Sequence, residues 1–213
     1  MGDLLHFPVE RMRVHPTPAD PTPMFFFDVR DPSSYLVAER VERRLPEAEW
    51  IAVDGVALAP AGEDALRAMR TRAEAEARTL RLPLVWPEEF PVRTSCAQRA
   101  AAFACELGAG PAFVLAAGRL AFCGGFALDD PETIAEAAAA AAIPLGPCLE
   151  AAGESWRDEE LGELSASLRG IGIERLPAFR VGSHWLQGED ALPMASALTA
   201  RAALAQGPLA PVG

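Results

Sequence analysis

Asp31 and Ser34 stand one helical turn apart in Asp28-Val29-Arg30-Asp31-Pro32-Ser33-Ser34-Tyr35-Leu36, directly after a run of phenylalanines. A strand that ends in a helix start leaves backbone N–H groups without intrahelical acceptors, and the helix dipole favours negative charge there. Such a place holds a thiolate or another anion. Asp31 is a favourable N-cap because its oxygen accepts an orphan N–H, and Pro32 is a favourable first helical residue because it has no N–H to leave unpaired. Asp31 is read either as a helix cap alone or as an acid or base at a site mouth. The helix N-terminus is expected to lower its pKa, which suits a base or cation-binding role and makes a poor acid at neutral pH. Ser34 is read either as a capping or solvated hydroxyl or as one turned toward a ligand.

Downstream, Arg175-Leu176-Pro177-Ala178-Phe179 opens a second apolar run, and Gly188-Glu189-Asp190-Ala191-Leu192 precedes the last helical pattern. Pro177 by itself is a strand-start residue, and Asp190 is an N-cap. The four cysteines, Cys96, Cys105, Cys123 and Cys148, form no C-x-x-C and no metal-ligand spacing with the three histidines. They are expected to be buried small apolar residues in a reducing compartment, with no metal bound. Arg99 is read as a solvated arginine, with an anionic substrate as its alternative partner. His184 is expected at the surface and Trp185 in the core.

The elements that must position these residues follow from periodicity. Met24 to Val29 is a strand, and Ser34, Leu36, Val37, Ala38, Val41 and Leu45 mark the helix after it. Glu49 to Val53 is a second strand, parallel to the first across a right-handed crossover. At Pro60 the texture turns Ala-rich and helical. Helices are expected over 63–80 and over about 94–107, 112–123, 130–142, 147–152 and 158–169. Ala178 to Val181 and His184 to Leu186 form a hairpin around Gly182-Ser183, and a helix over 190–205 closes the chain.

In this order the motifs resemble the DsbA-like branch of the thioredoxin superfamily, in particular the 2-hydroxychromene-2-carboxylate isomerases and kappa-class glutathione transferases. Asp28, Pro32, Ser34, Tyr35 and Leu36 match the motif D-x-x-S-P-x-S-[YW]-L, Pro177 falls at the cis-proline, and Gly188, Asp190 and Leu192 fall at G-x-D-R-L. A looser echo runs from Phe90-Pro91 to Arg99. The resemblance implies an α/β, thioredoxin-like fold with an inserted all-helical domain. Its limits are an extension over 1–23, a thioredoxin-like unit over 24–58 and 172–205, an insertion over 59–171 and a tail over 206–213.

The resemblance also implies an isomerase that uses glutathione or another low-molecular-weight thiol on an aromatic catabolite. The thiol would lie at Asp31 and Ser34. Its cysteinyl backbone would pair at Leu176-Pro177, and its γ-glutamyl amine would sit near Gly188, Glu189 and Asp190. An aromatic substrate would enter near Trp86 and Phe90, and the protein would be a homodimer. Three departures qualify this. Asp31 and Ser34 occupy both cysteine positions of the DsbA dithiol, Asp31 replaces the serine that holds the thiolate in the isomerases, and Ala191 replaces an arginine. A carboxylate beside a thiolate is expected to repel it. The alternatives are a DsbA-family thiol-disulfide oxidoreductase homologue without the dithiol and a non-catalytic thiol- or small-molecule-binding protein.

Composition narrows the partners. The 213 residues carry 30 acidic and 19 basic side chains, with no lysine and a net charge of −11, so nucleic-acid binding is not expected. Residues 1–23 show no signal-peptide pattern, and the alanine run at 137–142 is too short to span a membrane. A cytoplasmic protein acting on a small molecule is the expectation.

Overall fold

The computed structural model describes residues 22–58, 62–92 and 95–206. The sequence readings of the N-terminal extension and the C-terminal tail fall almost wholly outside these residues. Strand β1 (Met24–Phe27) is followed by helix α1 (Pro32–Arg44) and strand β2 (Glu49–Ala52), parallel to β1 with Phe25 opposite Trp50. After the helical segment come β3 (Ala178–Val181), antiparallel to β1, and β4 (His184–Gln187), antiparallel to β3. The sheet order is β2-β1-β3-β4, with the parallel β1–β2 pair and the β3–β4 hairpin expected from the sequence.

The three phenylalanines of β1 explain its place at the sheet centre. Residues 25 and 27 point to one face and residue 26 to the other, and all three are fully buried. Phe25 packs edge-on to Trp50 at 4.8 Å and tilted to Phe179 at 5.1 Å, on the face covered by α1. Phe26 lies on the other face with Val53, Leu176 and Ala178. Each buried phenylalanine contributes about 1.5–3 kcal/mol relative to exposure, so apolar residues on both faces specify an interior strand.

The helical segment comprises α2 (Glu63–Leu80), α3 (Cys96–Glu106), α4 (Gly110–Phe122), α5 (Pro131–Ala140), α6 (Leu145–Gly153) and α7 (Arg157–Gly170). Buried alanines such as Ala100, Ala104, Ala121 and Ala137 line the contacts among these helices. Gly118 lets α4 approach α1, because a Cβ there would meet the Tyr35 ring at 2.9 Å. Tyr35 in turn stacks on Phe122 at 5.5 Å. Helix α7, grouped by sequence with the insertion, packs Leu164 and Leu168 against Phe26 on the second sheet face. Helix α8 (Ala191–Gln206) closes the chain. No helix among the described residues is long and apolar enough to cross a membrane.

Gln98 joins the helical segment to the sheet. Its Nε2 donates to the Phe27 carbonyl at 3.1 Å and the Val53 carbonyl at 2.8 Å, while its Oε1 accepts the Val29 N–H at 2.8 Å. One fully buried amide thereby satisfies three backbone groups where β1 and β2 end. The ends of these two strands are therefore fixed before any site is built on them.

Candidate functional site

Asp31 is the N-cap of α1, with an extended backbone (φ −94°, ψ 118°). Its Oδ2 accepts the Ser34 N–H at 2.7 Å and the Ser34 hydroxyl at 2.8 Å. Ser34 is buried, and its oxygen also receives the Asp28 N–H at 3.4 Å. The hydroxyl is thus spent on positioning the carboxyl. Ser33 donates to Glu189 Oε1 at 3.0 Å, which brings the loop before α8 to the first turn of α1.

Asp31 itself is partly accessible. Burial pushes its pKa up to about 7, and the negative charges of Asp28 and Glu189 act in the same direction, whereas the two Ser34 hydrogen bonds lower it. The expectation of a lowered pKa is therefore corrected. Loss of water around the carboxylate outweighs capping, because a helix end stabilises by fractions of a kcal/mol while desolvation acts on the whole charge. A carboxyl held at that value is partly protonated and partly ionised near neutrality.

Beneath it lies an ion-pair network that sequence reasoning did not identify. Asp28 accepts Arg30 Nε at 2.9 Å, Arg30 Nη2 at 2.6 Å, the Arg30 N–H at 2.8 Å and the Gly55 N–H at 2.7 Å. Arg30 also reaches Asp54 Oδ1 at 2.6 Å. Burial disfavours the Arg30 charge, but Asp28 and Asp54 outweigh it and hold its pKa above the ordinary arginine value. Asp54 caps the short 3-10 helix Gly55–Ala57 and takes the Ser165 hydroxyl of α7 on its carbonyl at 2.8 Å. An acid and an arginine two residues apart in an apolar run were the available signal.

The second wall is the Leu176-Pro177 loop, whose peptide is cis as the sequence reading expected. A Cβ at Gly55 would meet Asp28 Cβ at 2.9 Å and Leu176 Cδ1 at 3.0 Å, so this glycine is where the loop, β2's continuation and Asp28 converge. The Pro177 carbonyl accepts the Gly188 N–H at 2.7 Å. Neither the N–H nor the carbonyl of Leu176 has a hydrogen-bond partner among the described residues. Asp190 is exposed and acts electrostatically on Arg40 and Glu76. Ala191 is buried. The Ser33–Glu189 bond ties the first turn of α1 to the loop before α8, and the Gly188–Pro177 bond ties that loop to the cis-proline. Gly55 lies against both Asp28 and Leu176, while Asp190 is exposed.

Other expectations change. Cys148 alone among the cysteines is buried; Cys96, Cys105 and Cys123 are partly exposed at helix ends, where packing stops. Burial of the sulfur nonetheless pushes the Cys105 thiol up to about 12. Cys123 Sγ lies 2.9 Å from the Tyr35 hydroxyl. Arg99 is paired rather than solvated: its Nε donates to Asp158 at 2.8 Å and its Nη1 to the Ala152 carbonyl at 3.1 Å. His184 is exposed, and Trp185 is half-buried against Phe26 at 5.4 Å. Among the described residues, no group of three or more His, Cys, Asp or Glu could hold a metal ion.

The sequence matches no protein-family model and no curated protein. Solved structures do match. A 2-hydroxychromene-2-carboxylate isomerase superposes with a TM-score of 0.73 at 15% identity, covering 89% of this chain and 99% of that one. A probable DsbA oxidoreductase from Streptomyces coelicolor superposes with a TM-score of 0.60 at 16% identity, covering 90% of this chain and 92% of that one. This likeness establishes the architecture: the chain has a DsbA-like thioredoxin fold.

Proposed function

We propose that the chain is an isomerase of the 2-hydroxychromene-2-carboxylate isomerase type, working on a conjugated aromatic catabolite with glutathione or a similar small thiol. The observation that carries this is the Asp31 carboxyl, partly accessible, with a pKa near 7, beside a loop whose backbone is open for pairing. The residues fit a peptide-like thiol. The unpaired Leu176 N–H and carbonyl would receive its main chain as an added strand would, and Glu189 and Asp190 would attract its amine. When bound, such a thiol supplies a nucleophile that adds reversibly to a double bond and permits rotation before leaving.

Asp31 then does two things. As a carboxylate it accepts the thiol proton, and as a carboxylic acid it returns a proton on departure. A carboxyl near neutral pKa does both efficiently at pH 7. Ser34 holds Oδ2 in place, and the first turn of α1 favours negative charge close by. The repulsion expected between a fixed carboxylate and a thiolate is relieved when the carboxyl carries the proton.

A dithiol oxidoreductase mechanism has no residues to run on, because Asp31 and Ser34 stand where two cysteines would be needed. A non-catalytic binding protein is the second reading, favoured by the commitment of the Ser34 hydroxyl to Asp31. The test is calorimetric titration with glutathione across pH 6 to 9, for wild type and Asp31→Asn. Binding that follows one ionisation near pH 7 in the wild type and loses it in the variant supports the proposal. Absence of binding throughout refutes it.

A further inference from the structure

We propose that Arg40 anchors the far end of the bound thiol, taking the carboxylate of a free amino-acid head group while Asp190 and Glu76 take its ammonium. The inference rests on the thiol reading above and names the small thiols that the site selects: those that end in a free amino acid.

Arg40 lies on α1 seven residues after Ser33, on the same helix face and roughly 10 Å along the axis. Cβ bonds tilt toward the N-terminus of a helix, so a long side chain at residue 40 leans back toward the first turn. Beside that turn lies the loop before α8, whose Glu189 accepts the Ser33 hydroxyl at 3.0 Å. Glu189 acts on the Asp31 charge, and Asp190, the next residue, acts on Arg40. Helix α2 contributes Glu76, with its Oε1 3.6 Å from Arg40 Nη2. Interacting charges therefore link the Asp31 turn to Arg40 and Glu76 through this loop. A peptide-like thiol spanning two to three extended residues covers roughly 7–10 Å, which matches the distance along α1.

The Arg40–Glu76 pair is incomplete by itself. Arg40 Nε and Nη2 are buried and make no hydrogen bond, and 3.6 Å to Glu76 is too long for one. Buried donors without acceptors are costly, and they point to a partner outside the protein's own atoms. Burial pushes the Arg40 pKa down; Arg44 and Arg43 add to this, and Glu76 and Asp190 oppose it. Burial pushes Glu76 up; Asp190 and Glu189 add to this, and Arg40 opposes it. Each member of the pair is thus short of opposite charge, and a zwitterion supplies both. Its carboxylate meets the guanidinium fork, and its ammonium meets the two acids. The Arg40 and Glu76 side chains are 23% and 21% exposed, so the pair is open to solvent.

The contrast with other arginines gives this weight. Arg30, Arg99, Arg119 and Arg157 each hold a carboxylate through charged hydrogen bonds. Arg43 and Arg44 are exposed in the last turn of α1, where water meets their donors. The loop itself, Gly188-Glu189-Asp190-Ala191, supplies no cation. Arg175 lies against Gly188 but is exposed. Neither Arg40 nor Glu76 belongs to the motifs on which the family resemblance rests.

The test uses S-methylglutathione, whose thiol is blocked, and its 4-aminobutyryl counterpart, which keeps the amine and lacks the head-group carboxylate. Both are titrated calorimetrically into wild type, Arg40→Met, Arg40→Gln and Arg175→Gln, with thermal melts to establish folding. The wild type should prefer S-methylglutathione by about tenfold or more, equivalent to ~1.4 kcal/mol. The preference should vanish in whichever Arg40 variant is folded, with the counterpart binding as it does to wild type, and should persist in Arg175→Gln. No preference in the wild type, an unchanged preference in a folded Arg40 variant, or equal weakening of both probes overturns the proposal. The glutathione titrations of wild type and Asp31→Asn are read separately. An Arg40-dependent preference without an Asp31-linked ionisation sinks the isomerase reading and supports this one. An Asp31-linked ionisation without the preference does the reverse, and no binding of any probe overturns both.

Discussion

Replacing Asp31 by asparagine keeps the helix cap and removes the charge. The asparagine oxygen accepts from Ser34 as the carboxylate does, and asparagine caps about as well as aspartate. In the unfolded chain Asp31 titrates near its ordinary value of 3.8, and in the folded protein near 7. Between these values the folded state binds more protons, so wild-type stability falls relative to the variant as pH rises. At about 1.4 kcal/mol per pH unit over that interval, the penalty approaches about 4 kcal/mol above pH 7. For a chain of this size that is roughly 8 to 16 °C in Tm. Thermal unfolding of both proteins from pH 4 to 8.5 reads the difference directly, since other carboxylates contribute equally to both. The curves should meet near pH 4, separate progressively with the variant higher, and run parallel above pH 7. A constant gap, or one that widens toward acid, refutes the assignment of a desolvated carboxyl with a raised pKa at this cap.

Gln98→Leu strands the Val29 N–H and the Val53 carbonyl and leaves the Phe27 carbonyl with only the Val53 N–H at 3.0 Å, and should cost about 2–4 kcal/mol in urea unfolding; a loss below 1 kcal/mol would mean that water replaces the amide. Gly55→Ala drives a methyl to within 3.0 Å of Asp28 and Leu176, so it should destabilise by about 1–3 kcal/mol and weaken glutathione binding through the displaced loop, both measurable on one purified sample. At pH 8, Cys105 and Cys148, whose thiols burial holds above the usual range, should alkylate slowly in the native state and rapidly after unfolding, as read by mass spectrometry. Insulin reduction should show no turnover, and turnover lost with any single cysteine would contradict the absence of a dithiol.

The sequence by itself determined the element order, because this rests on local signals, while the thioredoxin-like fold came from the resemblance of its ordered motifs to a known family. Phe25 to Phe27 are apolar on both faces, Asp31-Pro32 caps and starts a helix, and the change to Ala-rich helical spacing marks where the chain leaves the sheet. Only the tertiary structure decided the state of the site. A pKa depends on how much water the fold removes and which charges it brings near, so Asp31, with its cap legible, moved up where the cap alone predicted down. Gln98 carries no local signal of its role, because that role arises from distant partners, the ends of β1 and β2. The cysteines and Arg99 differ from expectation for the same reason: exposure and ion pairing are set by which surfaces the helices cover, and neighbours along the chain do not encode that.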